Sequence, residues 1–315
     1  MKTFAALAVL ALPLGPALAQ TPPPVPTVAT PLASEAPLGR PTAFRSDRIV
    51  VRSVGEGPDV ILLHGLGSSA RVWNTTVAAL PGYRYHLVQI RGFGGEANAG
   101  NTGGMTDPVA APIADEIARY IREARLTKPA FVGHSMGGTI GMLLASRHPD
   151  ALGRLMVVDM MPSLGAMFAG PGATPAQLTP IADGIYKAMS GPPTPEGERM
   201  QAATIDGMVN SASERPRILA ESKASDRTLA ARAFRELVVT DLRPELAKIT
   251  VPVTVLYVTP TGAPVSDAQM DAFYAASYAG AKGARLIRVP DSAHFIMIDA
   301  APRFESEMKT FLAPK

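Results

Sequence analysis

Gly133-His134-Ser135-Met136-Gly137-Gly138 sets one serine among glycines where an apolar segment gives way to a helix-patterned one. Pro129-Ala130-Phe131-Val132 reads as a short buried strand, and Thr139 to Arg147 as a helix with apolar residues on one face. A chain that turns this sharply needs side-chain-free positions on both sides, because strand and helix must approach closely. Such a turn projects the Ser135 hydroxyl into a cleft and sets its backbone at a helix N-terminus, the arrangement of a nucleophile elbow.

A serine hydroxyl is a weak nucleophile near neutrality, so this reading requires a base and a stabiliser for the developing oxyanion. Upstream, the strand-like run Asp59-Val60-Ile61-Leu62-Leu63 ends in His64-Gly65-Leu66-Gly67-Ser68-Ser69, a glycine-freed loop whose amides can face an anion. The oxyanion hole is assigned to the backbone N–H groups of Leu66 and of Met136, the residue after the nucleophile. Of five histidines, His294 is the candidate base, because it follows the strand Arg285 to Val289 in a late loop that can fold back over the elbow. His64 adjoins the oxyanion loop and supports its backbone. His134 lies in the elbow with its ring turned from Ser135, His86 sits inside a strand, and His148 precedes Pro149 at a helix end.

These motifs, with Arg91-Gly92-Phe93-Gly94 after the strand Tyr85 to Ile90 and with Ala293-His294-Phe295 followed by Pro302-Arg303-Phe304, make residues 44–312 resemble the α/β-hydrolase superfamily, specifically its lid-bearing serine esterases and related hydrolases. The resemblance implies an α/β-hydrolase fold: a mostly parallel eight-stranded sheet flanked by helices, with an inserted helical lid and the chain order serine, acid, histidine. A serine at the elbow argues against epoxide hydrolases and haloalkane dehalogenases, whose members carry aspartate there.

The acid departs from the family pattern. Relatives place it after the strand corresponding to Val253-Thr254-Val255-Leu256-Tyr257-Val258, whereas this chain continues Thr259-Pro260-Thr261-Gly262-Ala263-Pro264 with no carboxylate. Asp267, at the start of the next helix, is one candidate, although it also suits a helix N-terminus as a simple charge. Asp159, ending Leu155-Met156-Val157-Val158, lies where open α/β sheets place their sites, at the carboxyl end of a strand. Some family members carry the acid on that strand. Asp159 is the preferred acid and Asp267 the alternative, with a Ser-His dyad also open.

Composition suits one catalytic domain: 315 residues, 47% hydrophobic, 18% charged and a formal charge of +3. The basic residues are dispersed, which argues against nucleic acid. With no cysteine there is no disulfide framework, thiol nucleophile or thiolate metal site, and the histidine spacings suggest no metal. Gly92-Phe93-Gly94-Gly95 lacks dinucleotide spacing, so no cofactor is implied.

Met1-Lys2, the apolar Thr3 to Leu14 and the small-residue site Ala17-Leu18-Ala19 read as a signal peptide over residues 1–19, cleaved after Ala19. That predicts a bacterial periplasmic or secreted protein with no stable membrane insertion after cleavage. Residues 20–43, rich in proline, read as a linker. The core is expected over 44–161 and 244–315, with 162–243 as the lid. Within the lid, helices are expected around 181–190, 197–213, 215–223 and 226–239. Met160, Met161, Met167 and Phe168 either line the pocket or simply pack.

The resemblance implies hydrolysis of small or medium apolar carboxylic esters through an acyl-enzyme. The alternatives are another bond on the same fold (peptidase, lactonase, amidase, carbon–carbon hydrolase or perhydrolase chemistry) and a non-catalytic binding protein. The choice between the two carboxylates is directly testable. Asp159→Asn is expected to lower ester turnover far more than Asp267→Asn when kcat is compared side by side; equal or negligible losses would favour a dyad.

Overall fold

The computed structural model describes residues 38–314. The segment read as a signal peptide, and the part of the linker before Leu38, lie outside the described residues. Among the described residues eight strands form one sheet: β1 Arg40–Pro41, β2 Ile49–Val54, β3 Asp59–Leu63, β4 Arg84–Ile90, β5 Ala130–His134, β6 Arg154–Val158, β7 Val253–Tyr257 and β8 Arg285–Arg288. Their order is β1-β2-β4-β3-β5-β6-β7-β8, antiparallel at β1/β2 and β2/β4 and parallel thereafter. The sheet takes in Arg40–Pro41, within the stretch whose composition reads as linker, through pairing with Ser53 and Arg52.

The parallel strands are continuous apolar runs because both faces of the sheet are covered. Side chains alternate across the pleat, so neighbours in sequence join different cores. Ile61, Leu63, Phe131 and Val157 pack with Ile140 and Leu144 of the helix Met136–Arg147 and with Ile113 and Ile117 of the helix Ala110–Glu123. Val60, Leu62, Val132 and Met156 pack on the opposite face with Trp73, Phe304 and Met308. Trp73, fully buried and 6.1 Å from the Phe304 ring, is a core residue.

Between β6 and β7 lie the helices Ala166–Ala169, Pro175–Ser190, Pro195–Met208, Arg215–Lys223 and Arg227–Val239, then a 3-10 turn at Arg243–Lys248. This insertion is tied to the core by polar contacts. Glu236 Oε2 accepts the N–H groups of Val109 and Ala110, at 2.8 and 3.0 Å, satisfying two donors at the start of the helix Ala110–Glu123. Burial pushes the Glu236 carboxyl up from its ordinary range, and those two N–H groups pull against the shift. Asp226 N–H donates to Gly92 O at 2.7 Å, and Gly94 N–H to Ser225 Oγ at 2.9 Å. Met160 and Met161 are buried in the core, while Phe168 packs on Phe234 within the insertion.

The glycines of the elbow are required by contact distance. A Cβ on Gly133 would lie 2.1 Å from Gly137 O, and one on Gly137 would lie 2.5 Å from Leu63 O. Both obstacles are backbone, which cannot rotate aside. Gly133→Ala is therefore expected to destabilise the fold by about 3 kcal/mol or more, read as a melting temperature lower by on the order of 5–10 °C. The control Gly184→Ala, in the helix Pro175–Ser190 where a Cβ meets nothing within 4 Å, should leave it unchanged or slightly raised.

Candidate active site

Ser135 stands between β5 and the helix Met136–Arg147 with φ 53° and ψ −123°, a region that residues with a Cβ seldom occupy. The surroundings hold it there. Its N–H donates to Val158 O at 2.8 Å, and its carbonyl accepts from Gly138 N–H at 2.7 Å. The next parallel strand ends in the same way. Asp159, one residue past β6, has φ 51° and donates its N–H to Leu256 O at 2.7 Å. Two adjacent strands thus each terminate in a left-handed residue that carries a candidate reacting group.

His294 lies in the loop between β8 and the short helix Ile296–Asp299, and its Nδ1 is 2.6 Å from Asp159 Oδ2. A carboxylate can only accept, so Nδ1 carries a hydrogen, and in the neutral ring this tautomer leaves the lone pair on Nε2. Both side chains are largely enclosed, 18% and 11% exposed, which strengthens a charge-assisted bond relative to water. The second Asp159 oxygen, Oδ1, accepts from Val258 N–H at 3.2 Å and from the Tyr274 hydroxyl at 3.4 Å. Asp267 lies elsewhere: its carboxylate pairs with Arg288 at 2.7 Å and is mostly exposed. The structure brings Asp159, and not Asp267, to His294.

The loop after β3 abuts the elbow. A Cβ on Gly65 would sit 3.0 Å from Ser135 Cβ and 3.1 Å from His134 Nδ1. Leu66 lies in the turn closed by Ser68 N–H on Gly65 O, with Gly67 at φ 65°, and Met136 opens the helix. His64 supports this loop. Its Nε2 accepts from Ile90 N–H at 3.0 Å, which leaves Nδ1–H to donate to Gly65 O at 2.8 Å. Complete burial drives its pKa down to about 4, against a smaller upward pull from the Gly65 carbonyl.

His134 Nε2 is 3.0 Å from the His294 carbonyl oxygen, so its N–H is on Nε2; its ring packs 4.5 Å from that of His294. Burial, and then the neighbouring His294, hold His134 well below the ordinary histidine range. The other two histidines take carboxylate partners away from the site: His86 bonds Asp59 and Tyr120, and His148 bonds Asp115. Among the described residues no cluster of three or more His, Asp or Glu could hold a metal ion.

Two contributors escape sequence reading. Tyr274 reaches Asp159 across 115 positions. Asp299 accepts the N–H of Ala293, next to His294, at 3.1 Å. Neither belongs to a recognisable local motif; the signal available for Tyr274 is a buried tyrosine hydroxyl, which needs a polar partner.

A serine elbow between strand and helix, a glycine-containing loop against it and a His-Asp pair at the carboxyl ends of parallel strands are the arrangement of an α/β hydrolase. Residues 60–307 match the model of the alpha/beta hydrolase family, and the chain belongs to that family of hydrolases. Among its relatives is the pimeloyl-[acyl-carrier protein] methyl ester esterase of Aeromonas hydrophila, 31% identical over 65% of this chain and 77% of that relative. The protein of the same name from Aliivibrio salmonicida is 27% identical over 83% and 94%. An esterase from Exiguobacterium antarcticum shares the fold with a TM-score of 0.69 at 20% identity, covering 87% of this chain and 99% of that one. The enol-lactonase from Burkholderia xenovorans LB400 does so with 0.64 at 24%, covering 84% and 96%.

The buried neutral His64 makes stability depend on pH. Its folded pKa, about 4, lies below the unfolded value of roughly 6.5. The unfolded chain therefore binds the extra proton between those values, and stability falls as pH drops through that window. The loss from this residue is roughly 3 kcal/mol. Urea unfolding of His64→Gln between pH 7 and 4.5 should show a slope shallower than that of the parent by about one proton.

Proposed function

We propose that this chain is a serine hydrolase that cleaves carboxylic esters of small or medium apolar substrates through an acyl-enzyme. The observation that carries the reading is the 2.6 Å contact of His294 Nδ1 with Asp159 Oδ2, because it leaves Nε2 of that histidine free to act as a base. Ser135 Oγ attacks the ester carbonyl as its proton passes to His294 Nε2. The carbonyl oxygen becomes an oxyanion held by the amides of Leu66 and Met136, the C–O bond breaks, and His294 returns the proton to the departing alcohol. Water then attacks the acyl-enzyme by the same route and releases the acid and Ser135. Asp159 keeps the imidazole in its productive tautomer and stabilises the cation, without taking the proton.

The names of the relatives support ester cleavage. Those of Aeromonas hydrophila and Aliivibrio salmonicida are methyl ester esterases, which supports a small alcohol as leaving group. The helices inserted between β6 and β7 act in this reading as a lid that excludes water and shapes an apolar pocket. The basic, apolar and small-residue pattern of residues 1–19 supports an exported enzyme that works in the periplasm or outside the cell.

Hydrolysis of p-nitrophenyl esters from acetate to decanoate tests the reading. Turnover that depends on chain length, and that falls on the order of 10⁴- to 10⁶-fold in Ser135→Ala, is the expected result. Absence of turnover in the parent protein would shift the reading to another scissile bond or to binding alone.

A further inference from the structure

Three backbone groups at His294 and its two neighbours have holders, and two of the holders lead into the insertion. The His294 carbonyl accepts from His134. The N–H of Phe295 donates to Met208 O at 3.3 Å, at the end of the helix Pro195–Met208. The N–H of Ala293 goes to Asp299 Oδ2 at 3.1 Å. That same carboxylate accepts two N–H groups from the insertion: Ser211 on Oδ1 at 2.9 Å and Asn210 on Oδ2 at 3.1 Å. Asp299 is thus a three-way junction between the loop 208–211 and the loop that carries the base.

We infer that Asp299 is a positioning residue that couples the seat of the insertion to the alignment of His294. The inference rests on His294 being the catalytic base. An ionised carboxylate that accepts several amides forms strong bonds with fixed directions, so loop 208–211 cannot shift without carrying Ala293 and the adjacent imidazole. The base is aligned when the insertion is seated, and a misplacement of about 1 Å can cost on the order of 10²-fold in rate. Arg215 bears on the same junction from the far side. Its Nε donates to Val209 O at 2.7 Å, next to Asn210, and its contacts lie within the insertion.

The experiment uses the full chain with Asp299→Asn, Asp299→Glu, Arg215→Met and the double variant Asp299→Asn/Arg215→Met. Readouts are kcat and KM on p-nitrophenyl butyrate, melting temperature, and the rate of Ser135 labelling by a fluorophosphonate. Asp299→Asn should lower kcat and the labelling rate together by about 10- to 100-fold, with KM changed less than about twofold. Asp299→Glu should recover part of the loss. Arg215→Met should lower kcat in the same sense, and the double variant should be no slower than the slower single one, as for two residues acting on one element.

A lower melting temperature with kcat and labelling intact in Asp299→Asn would reduce the residue to a structural role and overturn the inference. Losses that multiply in the double variant would do the same. If Asp299→Asn fails to fold, Arg215→Met decides alone: an unchanged kcat overturns the coupling. A parent protein that is neither labelled at Ser135 nor active on esters would instead overturn the serine-hydrolase reading itself, an outcome visible before any Asp299 variant is made.

Discussion

The close approach of β5 to the helix that follows it governs the geometry around Ser135. With no side chain at Gly133 or Gly137, the helix start lies against the end of β3 as well as β5, bringing the elbow and the loop after β3 together. The strained backbone of Ser135 is then held by contacts on both sides, Val158 O before it and Gly138 N–H after it. Strain of this kind costs on the order of 1–3 kcal/mol and persists only where neighbouring contacts over-determine it. Here those contacts come from the end of β6 and the first turn of the helix Met136–Arg147.

Asp159 shows that the same solution works one strand over. Its left-handed backbone places a carboxylate against His294, while the residue after β7 supplies a backbone donor, Val258 N–H, to the other oxygen. The loop after β7 carries no carboxylate at residues 259–264, and a tyrosine of β7 stacks on one of the helix Asp267–Ser277. The Tyr257 and Tyr274 rings lie 4.0 Å apart, and the Tyr274 hydroxyl turns to Asp159. That hydroxyl, wholly buried and beside a carboxylate, is held well above the ordinary tyrosine range, which keeps it a hydrogen donor.

Much of this architecture was legible in the amino-acid order because its signals are local. β3, β5 and β7 are unbroken apolar runs, and the elbow is a run of six residues whose glycines have one steric use. The relation of His64 to its loop followed from adjacency. β1 left no such trace: Arg40–Pro41 pairs through its backbone while its side chains face solvent. Helix limits inside the insertion were displaced for a related reason. The helix Pro195–Met208 buries little besides Ile205, so its apolar periodicity is too weak to mark where it ends. The pairing of Asp159 with His294 stayed one of several options until distance could be measured, since 135 residues separate the partners. The junction at Asp299 could not be read at all, because its three donors are main-chain groups, which every residue except proline offers.

The contact of Glu236 with the start of the helix Ala110–Glu123 bears on how the insertion can be exchanged. Insertions between two neighbouring strands look like interchangeable modules, since both of their ends enter the sheet side by side. This one carries the cap for a helix it is not part of. A transplanted replacement without an acceptor at that place would leave two buried amides of the host bare, so recombination within such a family must select insertions for what they give the scaffold as well as for what they admit to the cleft.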